Sequence, residues 1–303
     1  MPGRRHLVPL LIAVDWGTSS LRAYLLGRGG AVLERQELPQ GILTVGDRRF
    51  AETLGSACRP WLDRHGPLPA VLSGMIGSRQ GWIEAPYVPC PAGLDELCRN
   101  LVTLPLAGFG QARLVPGVSA RQDGVPEVMR GEECQIVGAL AALGRDQGRL
   151  VLPGTHSKHV EVGAGRILGF RTFMTGEAFA ALRQHTILGR MMAGEGTGAG
   201  FDRGVVESRG RPLLHAIFGA RTLRLMDELP EAEAADYLSG LLIGSELAAL
   251  DHGEPVVLVG ADALVARYRR AAAGLGIATE TVPADCIRLG HLAIARRAGL
   301  VAA

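Results

Sequence analysis

Two short segments carry the same set of chemical groups. Residues 14–25 read VDWGTSSLRAYL and residues 151–162 read VLPGTHSKHVEV, pairing Gly17 with Gly154, Thr18 with Thr155 and Ser20 with Ser157 at an offset of 137 residues. A strand ending in Gly-Thr-x-Ser presents backbone N–H groups and hydroxyls at a tight turn, a nest suited to the oxygens of a phosphate chain. Two such turns could clamp a triphosphate, with Gly17, Thr18 and Ser19 on one side and Gly154 and Thr155 on the other. Asp15 stands directly before the first turn, where a carboxylate either holds Mg²⁺ through water against the phosphates or caps its own turn. Arg22, two positions after that turn, reaches either the same oxygens or an acid. Lys158 is the single lysine beside thirty-one arginines. A chain that elsewhere uses Arg for every cation suggests that this site needs a compact point charge, for a phosphate or for a substrate carboxylate.

The elements that must position these groups follow from apolar periodicity and turn residues. Strands are expected at 10–15, 20–26 and 31–38, a helix at 50–64, a strand at 69–73, a long Gly- and Pro-rich stretch from Gly74 to Gly110, a strand at 112–116, a loop, and a helix from Glu132 to Leu143. The pattern restarts near residue 150, and a third strand follows each hairpin, AVLERQEL after Gly30 and RILGFRTF after Gly165, at an offset of 135. The second half continues with a helix at 176–188, a mostly helical insertion at 200–250, a strand at 255–260, a helix, a strand near 278–282 and a last helix. Internal repetition of this kind implies two copies of one unit. The expected division is an N-terminal domain at 1–148 and a C-terminal domain at 149–303.

At this point the residues resemble a known superfamily. VDWGTSSLRAYLL looks like the first phosphate motif of the sugar kinase, heat-shock ATPase and actin superfamily, LPGTHSKHV like its second, and VVLVGADAL (256–264) like its adenosine motif. CIRLGHLAIA (286–295) is similar to the small-residue helix that closes the second domain. SGMIGSRQGWIEAPY (73–87), VMRGEECQIVGA (128–139), LPGTHSKHV and FRTFMTGE (170–177) together resemble the 2-dehydro-3-deoxygalactonokinases. The resemblance implies an α/β fold of two ribonuclease H-like domains of the actin-like ATPase type, a duplicated β-β-β-α-β-α pattern around an interdomain cleft. It also implies transfer of the ATP γ-phosphoryl group to the terminal hydroxyl of 2-dehydro-3-deoxy-D-galactonate, with Mg²⁺. Related carbohydrate kinases place their base at the start of the first domain's last helix, a pattern that Gly131-Glu132-Glu133-Cys134 resembles. Glu132 is therefore the expected general base, with Glu133 beside it and Asp123 as the alternative. A sugar acid needs donors and acceptors on a stiff floor, and the loop SGMIGSRQGW offers Ser78, Arg79 and Trp82, with Gly74, Gly77 and Gly81 letting backbone amides approach the ligand. Trp82 is otherwise a core anchor, and Arg171 and Glu177 complete the floor unless Glu177 only charges the start of its helix. Gly260 and Ala261 are small enough to admit the adenosine.

Composition excludes other classes. Hydrophobic residues are 47% and charged residues 20%, which does not describe a disordered chain, and no apolar run approaches the ~18–20 residues of a membrane span. The net charge of +2 gives no broad footprint for nucleic acid or an anionic membrane. Cys58, Cys90, Cys98, Cys134 and Cys286 are scattered without a C-x-x-C pair, as expected of free thiols in the cytoplasm. Arg4-Arg5 and the apolar stretch from Leu7 to Val14 resemble a signal peptide but lack a small-residue cleavage site. His156 and His159 are read as strand histidines rather than a metal pair, because positions three apart on a strand face opposite sides. Gly194 to Gly200 (GEGTGAG) lacks the Lys-Ser/Thr of a phosphate loop and is read as a flexible connection. A dehydrogenase would need G-x-G-x-x-G after the first strand, where Asp-Trp-Gly-Thr-Ser-Ser stands. The remaining alternatives are a kinase for another 2-keto-3-deoxy acid, such as the gluconate-derived epimer, or a sugar-acid sensor without catalysis. Such sensors usually carry an added DNA-binding domain, which the few residues ahead of the first strand are not expected to hold. A homodimer is the expected assembly.

Overall fold

The structure is a computed structural model and describes residues 8–250 and 253–302. The basic start at Arg4 and Arg5 lies outside the described residues. In chain order the first half runs β1 (Leu11–Trp16), β2 (Leu21–Leu26), β3 (Val32–Leu38), α1 (Phe50–His65), β4 (Ala70–Ser73), β5 (Tyr87–Pro89), β6 (Ala92–Gly93), α2 (Leu94–Arg99), β7 (Val102–Leu104), β8 (Ala112–Leu114), β9 (Gly117–Gln122), β10 (Val125–Met129) and α3 (Glu132–Leu143). The second half runs β11 (Gly148–Leu152), β12 (Ser157–Gly163), β13 (Arg166–Phe173), α4 (Thr175–His185), α5 (Ala199–Glu207), α6 (Leu213–Ala216), α7 (Gly219–Leu225), α8 (Glu231–Leu247), β14 (Val256–Gly260), α9 (Asp262–Leu275), β15 (Thr279–Pro283) and α10 (Ile287–Arg297).

Two compact units result. The first takes the chain up to Gln147, Glu161–Phe170 and the segment from Ala284 on; the second takes Gly148–Val160 and Arg171–Pro283. In the first, the sheet order is β3-β2-β1-β4-β8-β7, with β1 antiparallel to β2 and parallel to β4. β1 is central and reads as a continuous apolar run because both of its faces are covered. Trp16, Phe50 and Trp61 fill the core on one side, and α1 supplies Phe50, Leu54, Ala57, Cys58 and Trp61 at helical spacing. In the second unit, β15, β14, β11 and the start of β12 (157–160) follow one another, with β11 parallel to β14 and β14 parallel to β15. Both halves open β-β-β-α, as β1-β2-β3-α1 and as β11-β12-β13-α4.

Two elements depart from the sequence reading. The stretch from Gly74 to Gly110 and the loop after the strand at 112–116 are not merely loop, since β5, β9 and β10 make a separate three-stranded sheet ordered β10-β9-β5. The last helix, α10, packs in the first unit against α3. Small residues permit this crossing: a Cβ on Gly138 would stand 2.0 Å from the Cys286 carbonyl oxygen, and one on Gly290 would stand 2.0 Å from that of Cys134.

Candidate active site

The first Gly-Thr turn closes through Gly17, whose N–H donates to the Ser20 carbonyl at 2.9 Å, leaving Thr18 and Ser19 exposed at the tip. It is braced from behind by residues 40–43, which the sequence reading did not single out. The Ile42 N–H donates to the Gly17 carbonyl at 3.1 Å, the Leu43 N–H to the Thr18 carbonyl at 3.4 Å, and the Trp16 Nε1 to the Gln40 carbonyl at 2.8 Å. A Cβ on Gly41 would lie 2.1 Å from the Thr18 carbonyl oxygen, so only glycine lets the brace seat. Gly41 in the run PQGI was the available signal, and it follows β3 at the register that Gly176 occupies after β13.

Asp15, at the end of β1, has a side chain 14% exposed and lies 3.7 Å from Arg22. Arg22 thus meets an acid. Burial raises the Asp15 pKa, Arg22 opposes that shift and the negative charge of Glu132 adds to it. Asp15 and Glu132 therefore sense one another. Glu132 opens α3, and its Oε2 accepts the Arg130 backbone N–H at 3.0 Å. Glu133 is fully buried and accepts the Gly131 N–H at 2.7 Å, with its pKa pushed up to about 8 by burial first and by Glu132 second. Gly131 takes φ 107°, a left-handed turn, and packs on Gly74, whose own Cβ would meet the Trp16 carbonyl oxygen at 2.7 Å. The turn that presents Glu132 thus rests on the strand that presents Asp15. Beneath them, the buried Ser73 Oγ and His291 Nε2 lie 2.8 Å apart; burial pulls the His291 pKa down to about 3 and keeps the ring neutral. Asp123 is elsewhere, exposed at the tip of the β9–β10 hairpin with φ 51°.

The loop after β4 contains the expected sugar-acid residues, but its glycines serve the protein's own backbone. Gly74 backs Trp16, a Cβ on Gly81 would stand 2.2 Å from the Ile76 carbonyl oxygen, and one on Gly77 would stand 3.1 Å from Arg130 Nη1. Each of the three glycines thus has a packing reason within the protein itself. Trp82 packs against the core, and Arg79, 88% exposed at its side chain, pairs with Glu84 at 3.4 Å. Ser78 Oγ is buried without a hydrogen-bond partner.

In the second unit the other turn is braced in the same way. The Glu177 N–H donates to the Thr155 carbonyl at 3.0 Å, and a Cβ on Gly176 would stand 2.5 Å from the Gly154 carbonyl oxygen. The Glu177 carboxylate bonds His156, whereas His159 lies 2.9 Å from Glu246, so the two histidines serve different partners. Glu246 is buried and accepts Ser157 Oγ at 2.6 Å, Tyr268 Oη at 2.6 Å and Thr175 Oγ1 as well. Lys158 is 4% exposed, and its Nζ donates to the His156 carbonyl at 2.9 Å, so it is not a solvated surface lysine. Arg171 donates to the Ala249 carbonyl at 3.2 Å. Gly260 ends β14 and Ala261 caps α9, whose Leu264 and Arg267 line a cavity of ≈ 560 Å³ with Phe179, Arg183, Gly194, Asp236 and Ser239. The GEGTGAG run is not a loose connection. Thr197 N–H, Thr197 Oγ1 and Gly200 N–H donate to the Glu233 carboxylate at 2.6, 2.7 and 2.8 Å, so an internal anion fills this nest.

The comparisons with known proteins show the family and the fold. Residues 15–294 match the family described as 2-keto-3-deoxy-galactonokinase. The chain is 38% identical over 296 residues to the protein named "Probable 2-dehydro-3-deoxygalactonokinase DgoK1" of Rhizobium meliloti (strain 1021), covering 94% of this chain and 96% of that one. It is 32% identical over 280 residues to the 2-dehydro-3-deoxygalactonokinase of Escherichia coli (strain K12), covering 90% and 93%. The solved structure described as "Crystal structure of a putative 2-dehydro-3-deoxygalactonokinase protein from Sinorhizobium meliloti" matches with a TM-score of 0.87 at 37% identity over 95% of this chain and 98% of that one. The ligand-bound xylulose kinase of Lactobacillus acidophilus shares the fold alone, with a TM-score of 0.52 at 10% identity over 97% and 90%. With the actin-like ATPase fold of the sugar kinases and a family match across nearly its whole length, this chain belongs to the 2-keto-3-deoxy-galactonokinase family.

Proposed function

We propose that the protein transfers the γ-phosphoryl group of ATP to the terminal C6 hydroxyl of 2-dehydro-3-deoxy-D-galactonate, a step of galactonate breakdown. The observation that supports this reading is the mutual influence of two carboxylates, Asp15 at the end of β1 next to the exposed Gly17-Thr18-Ser19 tip and Glu132 at the start of α3. Phosphoryl transfer asks the protein for alignment, charge dispersal and a carboxylate at the attacking hydroxyl. Glu132 takes that last role and accepts the hydroxyl proton. Gly17, Thr18 and Ser19 bind phosphate oxygens, as do Gly154, Thr155 and Lys158. The nucleoside end belongs to Gly260 and Ala261 and extends into the cavity beside Leu264 and Arg267, whose ≈ 560 Å³ is ample for a nucleoside.

The chemistry of the donor set suits Mg²⁺. Asp15 offers hard carboxylate oxygens in a setting where burial and Glu132 disfavour its negative charge, and a hard cation relieves both penalties. Bound through water at Asp15, the ion would neutralise charge on the β- and γ-phosphates. Among the described residues no helix is long and apolar enough to cross a membrane, and the five cysteines are free, which supports a cytoplasmic setting. The test is the product. Incubation with ATP, Mg²⁺ and the sugar acid should give a phosphomonoester whose ³¹P signal couples to the two C6 protons. Presenting the gluconate-derived epimer in parallel measures the preference between the two acids. A phosphoester at another carbon overturns the regiochemistry, and none with either acid overturns the assignment.

A further inference from the structure

Arg130 is 8% exposed, yet its Nε and Nη1 have no hydrogen-bond partner. Its Nη2 donates to the Ala85 carbonyl at 2.8 Å and its guanidinium stacks over the Tyr87 ring at 4.3 Å, and neither contact neutralises the charge. Glu133 feels that charge, but burial drives Glu133 towards its neutral form. A buried cation left in this state is costly unless an anion reaches it. The second orphaned group lies close by in the same loop. Ser78 Oγ is buried and without a partner, and the Arg130 Nη1 stands 3.1 Å from where a Cβ on the adjoining Gly77 would be. Arg130 also precedes Glu132 by two residues, at the turn that presents the proposed base.

We infer that the Arg130 guanidinium and the Ser78 hydroxyl form the subsite for the carboxylate of the sugar acid. The spare Nε and Nη1, which open on different edges of the guanidinium plane, each offer a carboxylate oxygen a charge-assisted donor, and the Ser78 hydroxyl offers a further one. The turn that follows Ser78 is exposed at Arg79 and Gln80. This assignment rests on the kinase reading and adds the group by which the acid is told from a neutral sugar. It places the C1 end of the substrate at Arg130 and leaves the C6 hydroxyl for Glu132.

The test is binding of 2-dehydro-3-deoxygalactonate and of its neutral C1 amide, by titration calorimetry, to the wild type, to Arg130→Gln and to Ser78→Ala. The wild type should prefer the acid by about 10- to 100-fold, the range of a charge-assisted contact. Arg130→Gln should erase that preference while leaving the amide and ATP affinities and the unfolding temperature little changed. Ser78→Ala should narrow it, which keeps the proposal testable if Arg130→Gln does not fold. Equal weakening of acid and amide would make Arg130 a shaping residue of the loop and overturn the assignment, as would a preserved preference. Weakened ATP binding with an unchanged preference would assign the guanidinium to phosphate instead. A wild type that binds no sugar acid overturns the kinase reading itself, whereas a wild type that phosphorylates the acid and keeps its preference in Arg130→Gln overturns this inference alone.

Discussion

Gly41 lies against the Thr18 peptide so closely that a Cβ would stand 2.1 Å from the Thr18 carbonyl oxygen and 2.2 Å from the Ser19 nitrogen. On its counterpart Gly176 a Cβ would stand 2.5 Å from the Gly154 carbonyl oxygen and 2.8 Å from the Thr155 Cα. Each Gly-Thr turn is thus backed by a glycine whose next one or two residues donate an N–H to the turn's carbonyls. Gly41→Ala must push the turn outward, at an overpacking cost of about 1–3 kcal/mol. The expected result is a raised KM for ATP with a smaller change in the KM for the sugar acid, and Gly176→Ala should behave alike. Steady-state kinetics with each substrate varied checks this; an unchanged ATP KM would separate the brace from the nucleotide.

The two Gly-Thr hairpin turns were legible because each is written into a few adjacent residues. The helix start at Glu132 was legible in the same way, from its acidic first turn. Gly41 was not legible, because its partner is 23 residues away and the contact exists only once the sheet closes. Glu246 was silent for the same reason, since it sits 87 and 89 residues from His159 and Ser157. Arg130 could not be told from thirty other arginines until burial left two of its nitrogens without partners. The join of α10 to α3 depends on glycines that in sequence read only as small residues.

Glu133 gives a pH dependence of stability. Its folded pKa of about 8 stands above the ordinary 4.5, so between those values the folded chain keeps a proton that the unfolded chain releases. The stabilisation is full below the lower value and is lost as pH rises towards the upper one, with a slope approaching about 1.4 kcal/mol per pH unit. Glu133→Gln keeps an acceptor for the Gly131 N–H and has no such proton to lose. Urea unfolding across that window should show the variant gaining on the wild type as pH rises. A constant difference would mean that Glu133 is ionised in the folded chain.

Glu246 gathers donors from β12, α4 and α9 at one buried carboxylate. Glu246→Ala strands these donors, each unsatisfied buried group costing about 1–3 kcal/mol. It should lower the urea midpoint well below that of Glu246→Gln, which retains one acceptor oxygen. Equal midpoints for the two variants would show that packing, and not the hydrogen bonds, holds the second turn.

Lys158 is enclosed by protein at the second turn, where a guanidinium is larger than the ammonium it would replace. Lys158→Arg should reduce kcat and weaken ATP binding. Full activity would assign Lys158 to packing alone.

The central claim is that Glu132 is the base of a sugar-acid kinase. The most direct measurement is ADP release by the wild type and by Glu132→Gln, with ATP, Mg²⁺ and 2-dehydro-3-deoxygalactonate, alongside ATP affinity for both. The account predicts ADP release that depends on the sugar acid, and a variant whose kcat falls by about 10²- to 10⁴-fold while its ATP affinity stays close to that of the wild type. Unchanged turnover in Glu132→Gln, or wild-type ADP release indifferent to the sugar acid, would contradict it.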